Sequence, residues 1–280
     1  MAINTSYLKQ FLQWFKETSP LQNLHELKPY DVELFFIKAT NHSGKAYKRS
    51  LQATLRSFFD FCHERKYIAQ NLRFSLPVIK SYRFSEVPKK IDEDEAIKLI
   101  NSIDRSTENG KRTYAILQLL YTYGVRGCQI RALQLKDIDW RKEEIHFTSA
   151  KHGKSCSFPL FADVGNALLY YLENARPKSR YQEIFLTLKR PYKPLENSGV
   201  LSQIIRETML KADIKSPVKG THCFRHAFVS RMLEQGESFK HIADLIGHKH
   251  IQTTFIYTKI DFNSLSEVAL ELPEVNNENC

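Results

Sequence analysis

The stretch GHKHIQTTFIYTK, residues 247–259, places a histidine, His248, nine residues before a tyrosine, Tyr257. One interpretation is an ordinary helix, because most tyrosines lie in protein cores or interfaces. The other is a catalytic segment in which the tyrosine hydroxyl acts as a nucleophile. The second interpretation requires further residues that bind a substrate and move protons.

Three other motifs supply residues of that kind. They are YGVRGCQIRALQL at 123–135, AKHGKSCSFPL at 150–160 and THCFRHAF at 221–228. Guanidiniums can fork onto phosphodiester oxygens, imidazoles can accept a proton, and a lysine can protonate a leaving alkoxide. Phosphoryl transfer requires mainly positioning and charge neutralisation, which these groups provide. The candidate catalytic residues are Arg126, Lys151, His222, Arg225, His248 and Tyr257.

Each candidate taken singly also has a structural explanation. Arg126 follows a glycine that can end a helix, and lysines such as Lys151 are common in turns. His222 and Arg225 are spaced like a pair along one helix face. The conjunction of the motifs, in this order, therefore carries the functional interpretation.

In order and spacing the motifs resemble those of the tyrosine recombinases, also called the phage integrase family. The resemblance covers about residues 90–270 closely and residues 1–75 more loosely, and the chain length is similar to that of compact, Xer-like members. The matching residues are Gly124-Val125-Arg126, Lys151 in a predicted hairpin turn, His222-x-x-Arg225, Leu245-Ile246-Gly247-His248 and Thr253-Thr254-x-x-Tyr257.

The resemblance implies a role for each candidate. Tyr257 would attack the scissile phosphate and form a 3′-phosphotyrosyl link. Arg126, Arg225 and His248 would bind the phosphoryl oxygens. His222 would assist proton transfer, and Lys151 would protonate the 5′-oxygen. Because the covalent link stores the bond energy, the resemblance implies no cofactor, metal or ATP.

The sequence departs from the family pattern in two motifs. After the first arginine the family usually has Glu-Leu, where this chain has Gln129-Ile130. The lysine motif is AKHGK, so Lys154 remains an alternative to Lys151. His226 remains an alternative for part of the role of His222.

Composition favours a nucleic-acid partner and a reducing compartment. The 280 residues include 41 Lys and Arg against 31 Asp and Glu, a formal net charge of +10, which favours a polyanion such as DNA. The five cysteines are widely spaced without a CxxC, which argues against a disulfide framework or a four-cysteine zinc site. Since no apolar run resembles a signal core or a membrane span, we expect a cytoplasmic, nucleoid-associated protein.

Hydrophobic periodicity predicts a mainly α fold in two domains. A helical core-binding, DNA-binding domain occupies residues 1–76, and a basic linker occupies 77–90. A mostly helical catalytic domain with a small antiparallel β-sheet occupies 91–272, and an acidic tail occupies 273–280. The catalytic domain is predicted to have a β-hairpin in EIHFTSAKHGKSCSFPL and helices at 92–103, 111–123, 127–135, 161–175, 198–211, 221–235, 238–246 and about 250–270.

The first domain contains a helix with one basic face, SGKAYKRSLQATLRSFFDF. Ordinary solvation explains a single basic face, but the charge of the whole chain favours contact with DNA phosphates or a groove. The stripe contains no acid and consists of Lys45, Lys48, Arg49, Gln52 and Arg56.

The resemblance also implies the partners. The substrate would be double-stranded DNA with specific recombination sites, bound by a homo-tetramer in the synaptic complex and by a monomer or dimer otherwise. The segment KIDFNSLSEVALEL predicts a helix with an apolar stripe, which we expect to dock on a neighbouring protomer. The family chemistry serves integration, excision, transposition and the resolution of dimers or cointegrates alike.

Three other functions fit part of the sequence. His222 and His226 have the spacing of metal ligands, but the Glu of HExxH and a third ligand are missing. A non-catalytic DNA-binding protein fits the charge, and the segment ending in GHKHIQTTFIYTK resembles a helix-turn-helix in outline. A type IB topoisomerase would use similar chemistry on one strand. Six filled catalytic positions and a separate N-terminal domain favour a recombinase.

Overall fold

The computed structural model describes residues 2–18, 23–79, 89–148, 155–197, 199–216 and 220–247. The chain divides into two compact units, Met1–Ser85 and Glu86–Cys280. Each unit has its own hydrophobic core. The core-binding and catalytic roles of the two parts of the chain remain predictions.

The described residues of the first unit form three α-helices: α1 (Ala2–Thr18), α2 (Pro29–Thr40) and α3 (Lys45–Glu64). Helix α2 begins with a proline, whose missing N–H leaves no hydrogen bond unmade in the first turn. Among the buried phenylalanines, one from each helix meets the others at the centre of the unit: Phe11, Phe35 and Phe59. The Phe11 ring meets the other two edge to face, at centroid distances of 5.0 and 5.6 Å, and such aromatic contacts fix how the helices pack.

The second unit is mostly helical with a small sheet. Strand β2 (Glu144–Thr148) pairs antiparallel with both β1 (Ile138–Asp139) and β3 (Ser155–Pro159), so the predicted hairpin is formed by β2 and β3. Ile145 and Phe147 on β2 point into the core, while His146 between them does not, which is the alternation of a half-buried strand. The predicted mainly α fold with a small antiparallel sheet is confirmed. The elements are α4 (Glu93–Asn101), α5 (Glu108–Tyr123), α6 (Gly127–Ala132), β1 (Ile138–Asp139), β2 (Glu144–Thr148), β3 (Ser155–Pro159), α7 (Ala162–Asn174), α8 (Gly199–Lys211), α9 (Thr221–Glu234) and α10 (Phe239–Leu245).

Helix α5 is the central helix of this unit and packs against α7 and α9. Its N-terminus is capped by Thr107, whose hydroxyl accepts the Gly110 N–H at 3.0 Å. Most of its length is buried apolar surface. The helix therefore delivers the residues that follow it, including Arg126, to a fixed position next to α9.

The helix predicted at 127–135 is shorter than expected and ends at Ala132. The chain then pairs with a distant segment, because the Ile184 N–H donates to the Leu133 carbonyl at 2.8 Å and the Leu135 N–H donates to the Gln182 carbonyl at 2.9 Å. These bonds satisfy backbone groups that a longer helix would have used internally. The apolar periodicity of the motif does not reveal this non-local pairing.

Candidate active site

A glycine turn at the end of α5 sets the position of Arg126. Gly124 has a φ of 58°, and its N–H donates to the Leu120 carbonyl at 3.1 Å, which ends the helix in the left-handed conformation that glycine favours. A Cβ at this position would lie 2.6 Å from Cγ of Phe228 on α9. Helix α5 can therefore approach α9 this closely only with glycine here.

Gln129 holds the backbone of Arg126. Arg126 is the N-cap residue of α6, and its N–H donates to Oε1 of Gln129 at 2.9 Å. The Gln129 N–H donates back to the Arg126 carbonyl at 2.9 Å, and the Gln129 side chain is buried. The amide thus makes the hydrogen bond that a carboxylate could make here, but it adds no negative charge beside the arginine.

The guanidiniums of Arg126 and Arg225 meet at one backbone oxygen. Arg225 lies on α9, is only 4% exposed, and donates from Nη2 to the Ile246 carbonyl at 2.5 Å. Arg126 donates from Nη1 to the same oxygen at 3.1 Å. Because both nitrogens donate to one oxygen, they lie close to each other. They are close enough to bind the oxygens of one phosphate together.

Two further carbonyls complete the support of the arginine pair. Nη1 of Arg225 donates to the Gly124 carbonyl at 3.0 Å, so the glycine turn also orients the second arginine. Nη2 of Arg126 makes a longer contact of 3.4 Å with the Gly247 carbonyl. Neutral carbonyl dipoles thus orient both guanidiniums through these hydrogen bonds.

His222 lies beside this charged pair on the first turn of α9. Desolvation, followed by the charges of Arg225 and Arg126, lowers the pKa of His222. The ring is exposed, so a substrate can reach it. The neutral imidazole is the form able to accept a proton, and the neighbouring cations favour that form.

His226 is one helical turn further along α9, with its ring centroid 6.4 Å from that of His222. Desolvation, followed by His222 and Arg225, lowers the pKa of His226 to about 4. At neutral pH this side chain is therefore uncharged. Its greater burial makes it a poorer partner for a substrate than His222.

A close approach of α6 and α9 brings these groups together. A Cβ on Gly127 would lie 3.2 Å from the Thr221 side chain, so the two helices begin almost in contact. His222 follows Thr221 directly, and Arg126 precedes Gly127 directly. Glycine at position 127 therefore allows Arg126 and His222 to lie close together.

Helix α10 holds the carbonyls that the arginines use. Ser238 caps the helix, since its hydroxyl accepts the His241 N–H at 3.2 Å, and Ile242 and Ile246 are buried against Phe228 and its neighbours. The helix ends at Leu245, and two residues later Gly247 has a φ of 62°, the left-handed conformation that glycine favours. His248, the next residue in the chain, begins the segment that leads to the candidate nucleophile.

The sheet reaches the same site from another side. A Cβ at Gly247 would lie 3.8 Å from Sγ of Cys156 on β3, and this sulfur is 3.9 Å from the Asp244 carbonyl. Cys156 follows Lys154 in the chain by two residues. The strand that follows the lysine motif thus contacts the segment that precedes His248.

Of the six candidate catalytic residues, three lie within the described part of the chain, and the structure brings Arg126, His222 and Arg225 together. Lys151, its alternative Lys154, His248 and Tyr257 lie outside the described residues, as does the helix predicted at about 250–270. Their roles remain predictions. Sequence reasoning did not identify the Ile246 carbonyl, because a backbone group leaves no side-chain signal.

The basic stripe of α3 is only partly exposed. Lys45 and Arg49 are exposed, and Lys48 and Arg56 are half-buried. Gln52 is buried instead, with 8% exposure, and its side-chain amide donates to the Pro77 carbonyl. The helical spacing placed Gln52 on the stripe, but the chain that returns after α3 covers it, so it does not belong to the exposed surface.

Within the described ranges, no cluster of three or more His, Cys, Asp or Glu residues has a geometry that could hold a metal ion. His222 and His226 therefore lack a described third ligand. Among the same residues, no helix is both long enough and apolar enough to cross a membrane.

Comparison with known proteins shows similarity to the phage integrase family. A model of the phage integrase family matches residues 89–264. The putative integrase/recombinase y4rA of Sinorhizobium fredii is 36% identical over 251 residues, which are 90% of this chain and 61% of that protein. The tyrosine recombinase XerD of Listeria monocytogenes is 29% identical over 266 residues, covering 93% of this chain and 88% of XerD.

The chain spans only 61% and 63% of the lengths of two of its curated relatives, y4rA and y4rF. Solved structures show the same fold. The XerH site-specific recombinase bound to a palindromic difH substrate in a post-cleavage complex gives a TM-score of 0.74 at 19% identity, covering 94% of this chain and 77% of that one. A lambda integrase dimer bound to a COC′ core site gives 0.67 at 17% identity, covering 90% and 87%.

Proposed function

The chain belongs to the phage integrase family, and from that premise we propose that it is a site-specific tyrosine recombinase that cuts and rejoins DNA strands. The single observation that carries the proposal is the meeting of Arg126 and Arg225 at the Ile246 carbonyl, with His222 beside them. This arrangement neutralises a phosphate and keeps a proton acceptor next to it. Strand cleavage without a metal requires both functions of the protein.

The cleavage step begins with the hydroxyl of Tyr257. Its oxygen forms a bond to the phosphorus of the scissile phosphate, its proton passes to the neutral imidazole of His222, and the bond between phosphorus and the 5′-oxygen breaks. The products are a 3′-phosphotyrosyl link and a free 5′-hydroxyl. Arg126 and Arg225 stabilise the charge on the non-bridging oxygens, and His248 adds a hydrogen bond to them.

The leaving 5′-oxygen receives its proton from Lys151, with Lys154 as the alternative. The contact of β3 with the end of α10 supports a lysine in this role, because the motif that carries both lysines immediately precedes β3. Rejoining is the reverse reaction: the 5′-hydroxyl of another strand attacks the phosphotyrosyl phosphorus, and the tyrosine leaves. The number of phosphodiester bonds is conserved, so the cycle consumes no ATP.

The DNA partner is a duplex with specific recombination sites. We assign the first unit to DNA binding through the cations of α3, namely the exposed Lys45 and Arg49 and the half-buried Lys48 and Arg56. None of the four forms an ion pair with a described acid. A tetramer on two sites would exchange strands, with the C-terminal segment docking between protomers. The protein would act in the cytoplasm at the nucleoid, in integration, excision, transposition or resolution.

A suicide-substrate assay tests the chemistry. The protein is incubated with duplexes from DNA that flanks its gene, nicked so that cleavage releases a short fragment and traps the covalent intermediate. We expect a protein–DNA adduct that survives SDS with the intact protein and with the control Tyr170→Phe, which changes an exposed tyrosine on α7. The adduct should be absent with Tyr257→Phe.

Binding of the same duplexes is measured alongside. Specific binding without any adduct from the intact protein would support a non-catalytic DNA-binding function instead. An adduct that persists in Tyr257→Phe would show that another residue is the nucleophile. Either result would refute the proposed mechanism.

A further inference from the structure

A short loop of the second unit, Thr187–Pro194, is built as a closed hairpin-like turn that we call the basic loop. The Thr187 N–H donates to the Lys193 carbonyl at 2.8 Å, and the Lys193 N–H donates to the Thr187 hydroxyl at 3.0 Å. Leu186 and Pro194 form an antiparallel bridge at its base. These bonds close the loop on itself.

Two arginines anchor the base of the basic loop to the helices beneath it. Arg112 of α5 is nine-tenths buried and donates to the Leu186 carbonyl at 2.9 Å. Arg131 of α6 donates to the Leu195 carbonyl at 3.2 Å. Both ends of the loop are thereby fixed to elements of the core, so its tip has a defined position.

The tip of the loop carries cations that have no ion-pair partner among the described residues. Its sequence KRPYK, residues 189–193, contains three basic residues and no acid, and Lys189, Arg190 and Lys193 are all exposed. None of the three forms an ion pair with any described residue. They border a groove of about 700 Å³, where the only acid among the lining residues is Glu196.

Three like charges held on one braced loop repel one another. A polyanion offsets this repulsion. Duplex DNA presents phosphates at a regular spacing along the helix, and Lys and Arg contacts to them supply affinity through the release of counterions. The chemistry of the tip therefore fits the DNA backbone better than a neutral or cationic partner.

We propose that the basic loop binds DNA phosphates as a contact separate from the active-site arginines and from α3. This inference rests on the proposed function, since it assumes a DNA substrate. The loop would position the second unit on the duplex without taking part in cleavage, because it contains none of the candidate catalytic residues. Its contribution should be largely independent of base sequence.

The test is a titration of a labelled duplex followed by fluorescence anisotropy over a series of salt concentrations. The variant is Lys189→Gln/Arg190→Gln/Lys193→Gln. If all three cations contact phosphates, the slope of log affinity against log salt should become shallower by about 2.7. Cleavage of a nicked duplex at saturating protein should keep nearly the wild-type rate. Circular dichroism establishes that the variant is folded.

The matched control removes the same net charge from three exposed lysines on separate elements, Lys136→Gln/Lys178→Gln/Lys211→Gln. This control should change the slope little. A loop variant with the wild-type slope, or a control with an equal loss, would overturn the inference while leaving the proposed function standing. Failure of the wild-type protein to bind any duplex would overturn both.

Discussion

The turn at Gly124 gives a sharp test of the active-site geometry. In Gly124→Ala the new residue would have to adopt a φ of 58°, which costs roughly 1–2 kcal/mol for an L-residue with a side chain. The added Cβ would also lie 2.6 Å from Phe228 Cγ and 2.7 Å from Phe228 Cβ, and overpacking of this kind costs about 1–3 kcal/mol. Together these terms lower the free energy of unfolding by about 2–5 kcal/mol.

Gly236→Ala is the matched control for this substitution. Gly236 has a φ of 82° but nothing within 4 Å of its ideal Cβ, so the control carries the backbone strain alone. We expect it to lose only about 1–2 kcal/mol. The difference between the two variants therefore isolates the steric contact with Phe228.

Urea unfolding measured by tryptophan fluorescence provides the assay. Trp140 reports on the second unit and Trp14 on the first, so a Trp14→Phe background assigns the transition. Strand cleavage is measured in parallel, because the Gly124 carbonyl holds Arg225 and displacement of the turn should slow cleavage in protein that is still folded. Equal stability losses in both alanine variants would refute the claim that α5 and α9 meet at Gly124 too closely for a side chain.

The remaining predictions concern the charged and polar groups. Arg225→Lys should reduce the rate of strand cleavage about 100-fold or more, because one ammonium cannot reproduce the paired donors of the guanidinium. DNA affinity should be nearly unchanged. Single-turnover cleavage measures the rate. Because the pKa of His226 is lowered, the folded protein binds fewer protons than the unfolded chain between about pH 4 and about pH 6.5. The free energy of unfolding should therefore fall as the pH drops from about 6.5 toward about 4. His226→Asn should make this fall smaller, as measured by urea titrations at a series of pH values. Gln129→Ala should slow cleavage, because it removes the hydrogen bond to the Arg126 N–H. Gln129→Glu should keep that hydrogen bond and, through its added negative charge, raise the pKa of His222. The acid limb of the pH profile of cleavage measures this pKa. On α3, Arg49→Gln should weaken DNA binding and make it less sensitive to salt, whereas Gln52→Ala should reduce stability and leave the salt dependence unchanged.

Sequence motifs predicted three residues that the structure brings together at the candidate active site, because the chemistry considered resides in side chains. Arg126, His222 and Arg225 were chosen for what a phosphodiester needs, and all three lie together. The fold class followed from apolar periodicity, which reports burial along each helix. Both kinds of signal are local in sequence, so one chain is enough to detect them.

What the sequence did not predict depends on contacts between distant segments. Helix α6 ends three residues earlier than its apolar pattern suggests, because residues 133 and 135 pair with residues 182–184. Gln52 has the spacing of the exposed stripe, but the chain at Pro77 covers it. The segment at 176–197 has no periodic pattern, and Arg176 orders part of it by donating to the carbonyls of Tyr181, Glu183 and Ile184.

The sequence also did not predict that Arg126 and Arg225 both contact the backbone just before the motif that contains Tyr257. The Ile246 carbonyl accepts hydrogen bonds from both guanidiniums, and the backbone immediately beyond it leads through Gly247 to His248 and Tyr257. A displacement of the Ile246 carbonyl would therefore change how both arginines are held. Each guanidinium carries five N–H donors, so phosphate can bind without breaking the carbonyl contacts. One carbonyl thus orients both arginines of the candidate site, and it lies two residues before His248 in the chain.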